Sequence, residues 1–164
     1  MSRSIISTIC SQFPLMMGGI SIFLLSFIKK QNIWWISLYI AGFIGNELLN
    51  RVLKPILQDH RPIPISSTDK YGMPSGHSQL AAYSLVFMSL LLRKKHYGYY
   101  DAIILLFIFL TIATMIQRVA TKVHSLEQVI VGGLLGGGIG YILQKFASSI
   151  FARKEKSLIH KTDL

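Results

Sequence analysis

The chain has 164 residues, of which 51% are hydrophobic, and it carries a formal net charge of +10. This length suits a single domain spanning residues 1–164, and the charge predicts an anionic partner: nucleic acid, a membrane surface or a phosphorylated substrate. Nucleic acid is the weakest of the three, because the basic residues lie between apolar runs and not along one soluble face. The single cysteine, Cys10, excludes an internal disulfide and a cysteine-based zinc site.

Five apolar segments follow one another along the chain, at 14–28, 33–49, 78–92, 102–116 and 126–146. A membrane-spanning helix needs about 20 mostly apolar residues, so flanking turns would complete the shorter segments. A soluble bundle is the alternative, but soluble helices show an amphipathic stripe, and AIILLFIFLTIATMI has none. No A-x-A-like cleavage site follows the first segment, which we interpret as a retained helix. The sequence predicts an all-α, polytopic transmembrane bundle with about five spanning helices.

Basic residues are distributed unequally between the two sides of such a bundle. Five spans place connections 51–77 and 117–125 on one side, and the opposite side carries nine Lys and Arg residues, at 29, 30, 93–95, 153, 154, 156 and 161. Because cytoplasmic loops are enriched in Lys and Arg, the side with nine is predicted to be cytoplasmic. The two long connections would then face the lumen or the cell exterior, and the basic tail 150–164 the cytoplasm.

The last apolar segment contains the stretch GGLLGGGIG. Its glycines fit the spacing of small residues four apart that lets two helices approach closely in lipid. We therefore expect these glycines to serve helix packing and not catalysis.

The two long connections contain most of the residues suited to chemistry. Lys54 and Arg61-Pro62 follow the second segment, PSGH precedes the third at 74–77, and Arg118 and His124 precede the fifth. Buried cations are costly without an anion, and a phosphate would satisfy them. Ser75 is a good helix N-cap and Gly76 allows close approach of the backbone, while the first-turn N–H groups favour a negative ligand.

The pattern K-x6-R-P, then P-S-G-H, then R-x5-H resembles the three motifs of the type 2 phosphatidic acid phosphatase superfamily. Finer matches, NELLNRVLKPILQDHRP, KYGMPSGHSQ and HSLEQVIVGGLLGG, resemble the dolichyl diphosphatase branch, and together the resemblance covers about 42–138. The superfamily usually has Ser at the position of Gln117 and Asp at the position of Gln128. The dolichyl branch is similar to this chain in having Gln at the latter position, whereas it tends to have Ser where this chain has Gly76.

The resemblance implies a role for each motif residue. His124 would be the nucleophile that accepts the phosphoryl group, and His77 would protonate the departing oxygen. The phosphoryl oxygens would be bound by Lys54, Arg61, Ser75, Gly76 and Arg118. No metal or other cofactor is expected, because three cations neutralise the charge and the sequence offers no carboxylate cluster for Mg²⁺.

Two positions keep alternative interpretations. The Gln128 carbonyl could orient His124 one helical turn away, or Ser125 and Gln128 could form a capping box. Glu47 could pair with Arg51 in an ordinary surface ion pair, or it could steady Lys54.

The resemblance predicts a membrane phosphatase acting on a lipid phosphate, with a polyprenyl diphosphate of the dolichyl type as the expected substrate. Its partners would be the phosphorylated lipid and the membrane, with no nucleic acid, in the endoplasmic reticulum or another membrane. Alternatives with the same site are a phosphatidic acid-type phosphatase, a lipid phosphotransferase and a catalytically dead lipid-phosphate-binding protein. The vanadium haloperoxidases of the same superfamily are soluble, which this chain is not expected to be.

Overall fold

The computed structural model describes residues 5–28, 33–63, 70–93 and 98–162, with side chains described between residues 8 and 150 of these ranges. Six helices are present there: α1 (Ile5–Ser11), α2 (Phe13–Ile28), α3 (Ile33–Leu57), α4 (Gly76–Leu92), α5 (Gly98–Ala120) and α6 (Leu126–Thr162). Within the described ranges the extended backbone amounts to one isolated bridge, between His60 and Tyr71. The all-α prediction is confirmed.

Each predicted apolar segment lies in its own helix, but several helices extend further than the apolar pattern. Helix α3 continues to Leu57, which places Lys54 in its last turn, and it ends where Gln58 adopts a left-handed φ of 52°. Helix α1 was not predicted. It is separated from α2 by a turn at Gln12, whose backbone N–H donates to the carbonyl of Ile9 at 3.0 Å.

Helix α4 lies at the centre of the bundle and packs against α2, α3, α5 and α6. Its contact with α6 is made by backbone, because Gly132, Gly136 and Gly140 face the backbone of Ser75, Gln79 and Tyr83 with no room for a Cβ atom. We call these three glycines the glycine seam. The packing role expected for them is confirmed, and their spacing of four residues places all three on one face of α6.

Polar side chains hold the start of α4 against α3. Gln79 donates through Nε2 to the Asn46 carbonyl at 3.1 Å and to Asn46 Oδ1 at 3.0 Å. Asn50 donates through Nδ2 to the Pro74 carbonyl and to Gln79 Oε1, both at 2.9 Å. Because these amides are buried and hydrogen-bonded to one another, they fix the position at which the Pro74–His77 turn enters α4.

The outward faces of the helices are apolar. Phe23, Phe109 and Leu134 are 62%, 64% and 72% exposed, whereas the interior contains the buried aromatic cluster of Tyr39, Tyr83 and Phe87. Contiguous apolar surface of this kind is costly in water and is typical of lipid-facing helices. This arrangement favours the membrane bundle over the soluble alternative.

Two of the described helical stretches, Gly98–Ala120 and Leu126–Ile150, are long and apolar enough to cross a membrane, and Phe13–Ile28 and Gly76–Leu92 are shorter apolar helices. The count of five spans stays a prediction, as does the orientation. Of the nine basic residues behind the orientation, those at 29, 30, 94 and 95 lie outside the described residues, and so do the side chains of the tail.

Candidate active site

A cavity of about 340 Å³ opens at the end of the bundle where α4 and α6 begin. Six of the predicted site residues line it: Lys54, Arg61, Gly76, His77, Arg118 and His124. The remaining lining residues are Ser11, Pro14, Leu15, Glu47, Asn50 and Leu80. We call this space the cationic cavity. The motifs are far apart in sequence, yet the fold brings all three to one place.

Arg61 is positioned by the pairing of two short extended stretches. Its backbone N–H donates to the Lys70 carbonyl at 2.9 Å, and the Gly72 N–H donates to the Asp59 carbonyl at 2.7 Å. The Arg61 side chain is buried, and its Nη1 donates to the Val123 carbonyl at 3.1 Å. The first-motif loop is thereby tied to the loop that contains His124.

His124 lies in the short connection between α5 and α6 and is 2% exposed. Its backbone N–H donates to the Arg118 carbonyl at 3.2 Å, which joins the two ends of the third motif. The ring contacts Arg61 Nη1 through Nε2 at 2.9 Å and Gln128 Oε1 through Nδ1 at 3.0 Å. A guanidinium only donates and an amide oxygen only accepts, so the proton lies on Nδ1 and the lone pair on Nε2. That lone pair accepts from Arg61, and both residues line the cationic cavity.

Burial is the main cause that lowers the pKa of His124, and the positive charges of Arg61 and Arg118 lower it further, to about 3. The hydrogen bond that His124 Nδ1–H donates to Gln128 Oε1 raises this pKa and so acts in the opposite direction. The imidazole is therefore neutral, and hence nucleophilic, through the whole physiological pH range.

His77 is the second residue of α4 and lies on another wall of the cavity. Its ring makes a hydrogen bond to the backbone of Ser11, at the end of α1. No pattern in the sequence indicated this contact, because it depends on the turn at Gln12 that folds α1 beside the site. Pro14, Leu15 and Leu80 make the neighbouring wall apolar, and Leu15 is 60% exposed on the outer surface.

Ser75 occupies the N-cap position of α4, as predicted, but its side chain does not make the hydrogen bond of a serine cap. Its Oγ accepts from Ser78 Oγ at 3.1 Å, and its backbone N–H donates to the Gln128 carbonyl at 2.9 Å. Ser75 is fully buried behind the cavity wall, whereas the adjacent Gly76 lines the cavity. The backbone of Ser75 thus connects the start of α4 to α6.

The two interpretations of Gln128 are both realised. Its Oε1 accepts from His124 Nδ1 at 3.0 Å and also from the Ser125 N–H at 3.2 Å, and its own N–H donates to Ser125 Oγ at 3.3 Å. The last two bonds are a capping box. One amide oxygen therefore orients the imidazole and caps α6 at the same time.

The other end of the Gln128 amide has partners that the sequence analysis missed. Its Nε2 donates to Asp59 Oδ2 at 2.7 Å and to the His60 carbonyl at 2.9 Å. A Cβ atom at Gly72 would overlap this amide, so the loop fits closely over it. The one sequence signal was an acidic residue, Asp59, two positions before the motif arginine.

Glu47 pairs with Arg51, with Arg51 Nε at 3.1 Å from Glu47 Oε1, and the Arg51 side chain is 72% exposed. The alternative of an ordinary surface ion pair is the one that the structure contains. Among the described residues, no group of three or more His, Cys, Asp or Glu side chains has the geometry of a metal site.

Comparisons with known proteins agree with this geometry. The family model of the PAP2 superfamily, the type 2 phosphatidic acid phosphatases, matches residues 32–151. Dolichyldiphosphatase 1 of Dictyostelium discoideum is 30% identical over 129 residues, which are 74% of this chain and 56% of that protein. Dolichyldiphosphatase 1 of Homo sapiens is 32% identical over 123 residues, which are 67% of this chain and 51% of that protein. The chain thus spans about half the length of these curated relatives.

A solved structure has the same fold. It is the crystal structure of the first transmembrane PAP2 type phosphatidylglycerolphosphate phosphatase from Bacillus subtilis, with a TM-score of 0.71 and 21% identity, and the match covers 92% of this chain and 80% of that chain. Motif spacing, cavity, family model and fold all lead to one assignment. The chain belongs to the PAP2 superfamily.

Proposed function

We propose that this protein is a membrane phosphatase that removes a phosphoryl group from a lipid phosphate or diphosphate through a phosphohistidine on His124. One observation supports the proposal above all: His124, whose Nε2 accepts from Arg61, lines one cavity together with Lys54, Arg61 and Arg118. A buried neutral imidazole among three cations is suited to attack a phosphorus whose oxygens those cations bind.

In the first step, Nε2 of His124 attacks the terminal phosphorus, and the bond between phosphorus and the leaving oxygen breaks. His77, protonated once the bound phosphate offsets the surrounding cations, donates a proton to that oxygen, so the lipid leaves as an alcohol or as a monophosphate. Arg61 moves its hydrogen bond from Nε2 to a phosphoryl oxygen, because the attacking lone pair must be exposed. Lys54, Arg118 and the Gly76 N–H hold the remaining charge in the transition state.

In the second step, water attacks the phosphohistidine, and the neutral His77 accepts a proton from this water. The phosphorus–nitrogen bond breaks, inorganic phosphate leaves, and both histidines return to their starting protonation states. Gln128 keeps the His124 ring in one orientation through both steps, since Oε1 accepts from Nδ1–H. Ser75 acts from behind the wall, through its backbone link to α6.

We infer a polyprenyl diphosphate of the dolichyl type as the substrate. The relatives named dolichyldiphosphatase support this inference, and so does Gln128, which replaces the usual aspartate of the superfamily. The apolar wall of Pro14, Leu15 and Leu80 beside the cations suits a lipid whose chain begins directly next to its phosphate. We treat residues 1–164 as one membrane-embedded domain, because α1 and α2 pack against α5 and α2 also packs against α3 and α4.

We place the cationic cavity on the lumenal or external face, in the endoplasmic reticulum or another membrane, from the excess of basic residues on the opposite side. Single cysteines introduced at His60 and at Arg93, in a Cys10→Ser background, test this placement. An impermeant thiol reagent added to sealed vesicles of known orientation should label only the His60 position from the lumenal side. Labelling of the Arg93 position from that side would contradict the orientation.

The activity is tested by phosphate release from dolichyl diphosphate, dolichyl phosphate and phosphatidate, measured in parallel with purified protein in detergent. We expect the fastest release from the diphosphate and none from any lipid with His124→Ala. Faster release from phosphatidate would instead favour the phosphatidic acid-type alternative. Binding of all three lipids without phosphate release would indicate a catalytically dead binding protein.

A further inference from the structure

The side-chain amide of Gln128 is surrounded by groups of fixed hydrogen-bonding type. Its Oε1 faces the N–H groups of His124 and Ser125, and its Nε2 faces the Asp59 carboxylate and the His60 carbonyl. A backbone N–H only donates, and ionised carboxylates and carbonyls only accept. Just one of the two orientations of the amide satisfies these partners.

In the resting site the Arg61 guanidinium and this amide both select the tautomer of His124, and once Arg61 turns to a phosphoryl oxygen the amide alone does so. If the amide turned over, its NH₂ group would face Nδ1 and would require a lone pair there. The ring proton would then lie on Nε2, and the lone pair there would be lost. A fixed amide is therefore a requirement for a nucleophilic His124 and not only for the cap of α6.

Asp59 is the charged member of the pair of acceptors at Nε2, and its hydrogen bond of 2.7 Å is the shorter one. Hydrogen bonds to a charged acceptor are shorter and about twice as strong as neutral ones. The Asp59 backbone is itself held, because its carbonyl accepts from Gly72 N–H at 2.7 Å. Asp59 does not line the cavity, so it acts only through Gln128.

We propose that Asp59 is a positioning residue for the reaction, which holds the Gln128 amide so that its oxygen faces His124. The side chains of Asp59, Gln128 and His124 form a carboxylate–amide–imidazole chain. The superfamily's usual aspartate would lie directly against the ring, whereas here the Gln128 amide lies between the carboxylate and the ring. The kinetic part of this inference rests on the proposed function.

Four variants test the chain of three side chains. Asp59→Asn removes the charge and leaves an amide that can itself turn over. Gln128→Glu places two carboxylates against each other. The double variant, Asp59→Asn with Gln128→Glu, restores a donor–acceptor pair in the reverse sense, because the introduced asparagine can donate to the new carboxylate. Glu127→Gln, at an exposed carboxylate next to Gln128, is the matched control for the loss of one charge.

With dolichyl diphosphate, we expect Asp59→Asn to lower kcat about tenfold and to leave KM unchanged. This is the low end of the loss seen when the hydrogen-bond partner of a metal-binding histidine is mutated. Gln128→Glu should lower kcat at least as much. Adding Asp59→Asn to the Gln128→Glu variant should then raise kcat. Glu127→Gln should behave as wild type. An equal kcat for Asp59→Asn and Glu127→Gln, or the same loss from Asp59→Asn in both backgrounds, would overturn the proposal.

A measurement without turnover separates this inference from the proposed function. Nitrogen NMR of ¹⁵N-histidine-labelled protein, with His124 assigned through His124→Ala, reports which ring nitrogen bears the proton, and an Arg61→Ala background removes the other group that fixes the tautomer. In that background we expect protonation on Nδ1 while Asp59 is present and a larger fraction on Nε2 in Asp59→Asn. An unchanged tautomer would refute the role of Asp59 even if the kinetics changed. If wild type released no phosphate from any lipid, the proposed function would fail, while this spectrum would still decide the role of Asp59.

Discussion

Helices α4 and α6 meet in two different ways along one interface. Along the glycine seam their backbones touch with no side chains between them, whereas at the end where both helices begin they hold polar groups around the cationic cavity. The first glycine of the seam, Gly132, faces the backbone of Ser75, two residues before His77. Close contact of the two backbones thus sets the distance between the second motif, at the start of α4, and the third motif, before α6. The polar groups around the cationic cavity depend on that distance.

The largest expected effect comes from replacing the proposed nucleophile while the glycine seam stays intact. His124→Ala should reduce kcat on the order of 10⁴-fold or more, as the loss of a nucleophile does in other enzymes. Acid-labile phosphate on the protein should disappear in quench-flow labelling. His77→Ala should still bind substrate but release the lipid slowly. Label found on Ser75, or on no residue, would contradict the phosphohistidine.

The second prediction disrupts the glycine seam and leaves the residues of the cationic cavity unchanged. Gly136→Ala puts a Cβ atom into the Gln79 backbone, so the helices must separate, at a cost of about 1–3 kcal/mol or more in the free energy of unfolding. The melting temperature in detergent and the rate of phosphate release should both be lower than in wild type. Gly138→Ala is the matched control, because nothing lies within 4 Å of a Cβ atom there. Equal melting temperatures for the two variants would show that the close contact does not stabilise the bundle.

A third prediction concerns how the activity of the polar end depends on pH. The pKa of His124 is lowered to about 3, so the proposed nucleophile stays unprotonated well below the ordinary histidine value of 6.5. Gln128→Asp adds a negative charge that favours imidazolium, and the acid limb of kcat/KM should move to higher pH by about one unit or more. Wild type should therefore stay active to lower pH than the variant. Coincident pH profiles would rule out an electrostatic contact between position 128 and the ring.

The smallest expected effect is that of chelation. Three cationic side chains line the cavity, so phosphate release should be unchanged after EDTA treatment and exhaustive dialysis. Addition of Mg²⁺ afterwards should change the rate by less than the scatter between preparations. Activity that disappears on chelation and returns with Mg²⁺ would contradict the assignment of charge neutralisation to Lys54, Arg61 and Arg118.

The sequence predicted the polar end well because its residues occur in motifs with fixed spacing. Arg118 and His124 are joined by one backbone hydrogen bond across the turn that ends α5, so their separation along the chain is a local property. The apolar segments likewise predicted the helices, and the glycine spacing predicted the seam. These features depend on local geometry and on the period of a helix.

What the sequence could not predict depends on how loops cross in space. Asp59 reaches Gln128 only because the stretches on either side of residues 64–69 pair with each other, at Arg61 with Lys70 and at Gly72 with Asp59. Ser11 reaches His77 only because the chain turns at Gln12. The Ser75 side chain could not be placed either, since Ser78 competes for it with the helix N–H groups.

The hydrogen bond from Arg61 to Nε2 of His124 should also protect the proposed nucleophile from chemical modification. A reagent that carbethoxylates imidazoles must attack through the lone pair that this guanidinium covers, and burial of the ring further limits access. In the proposed mechanism a phosphoryl group draws Arg61 to its own oxygens and so exposes Nε2, whereas an uncharged electrophile has no charge with which to do so. The resting enzyme is therefore expected to select its reaction partner by charge before any bond forms.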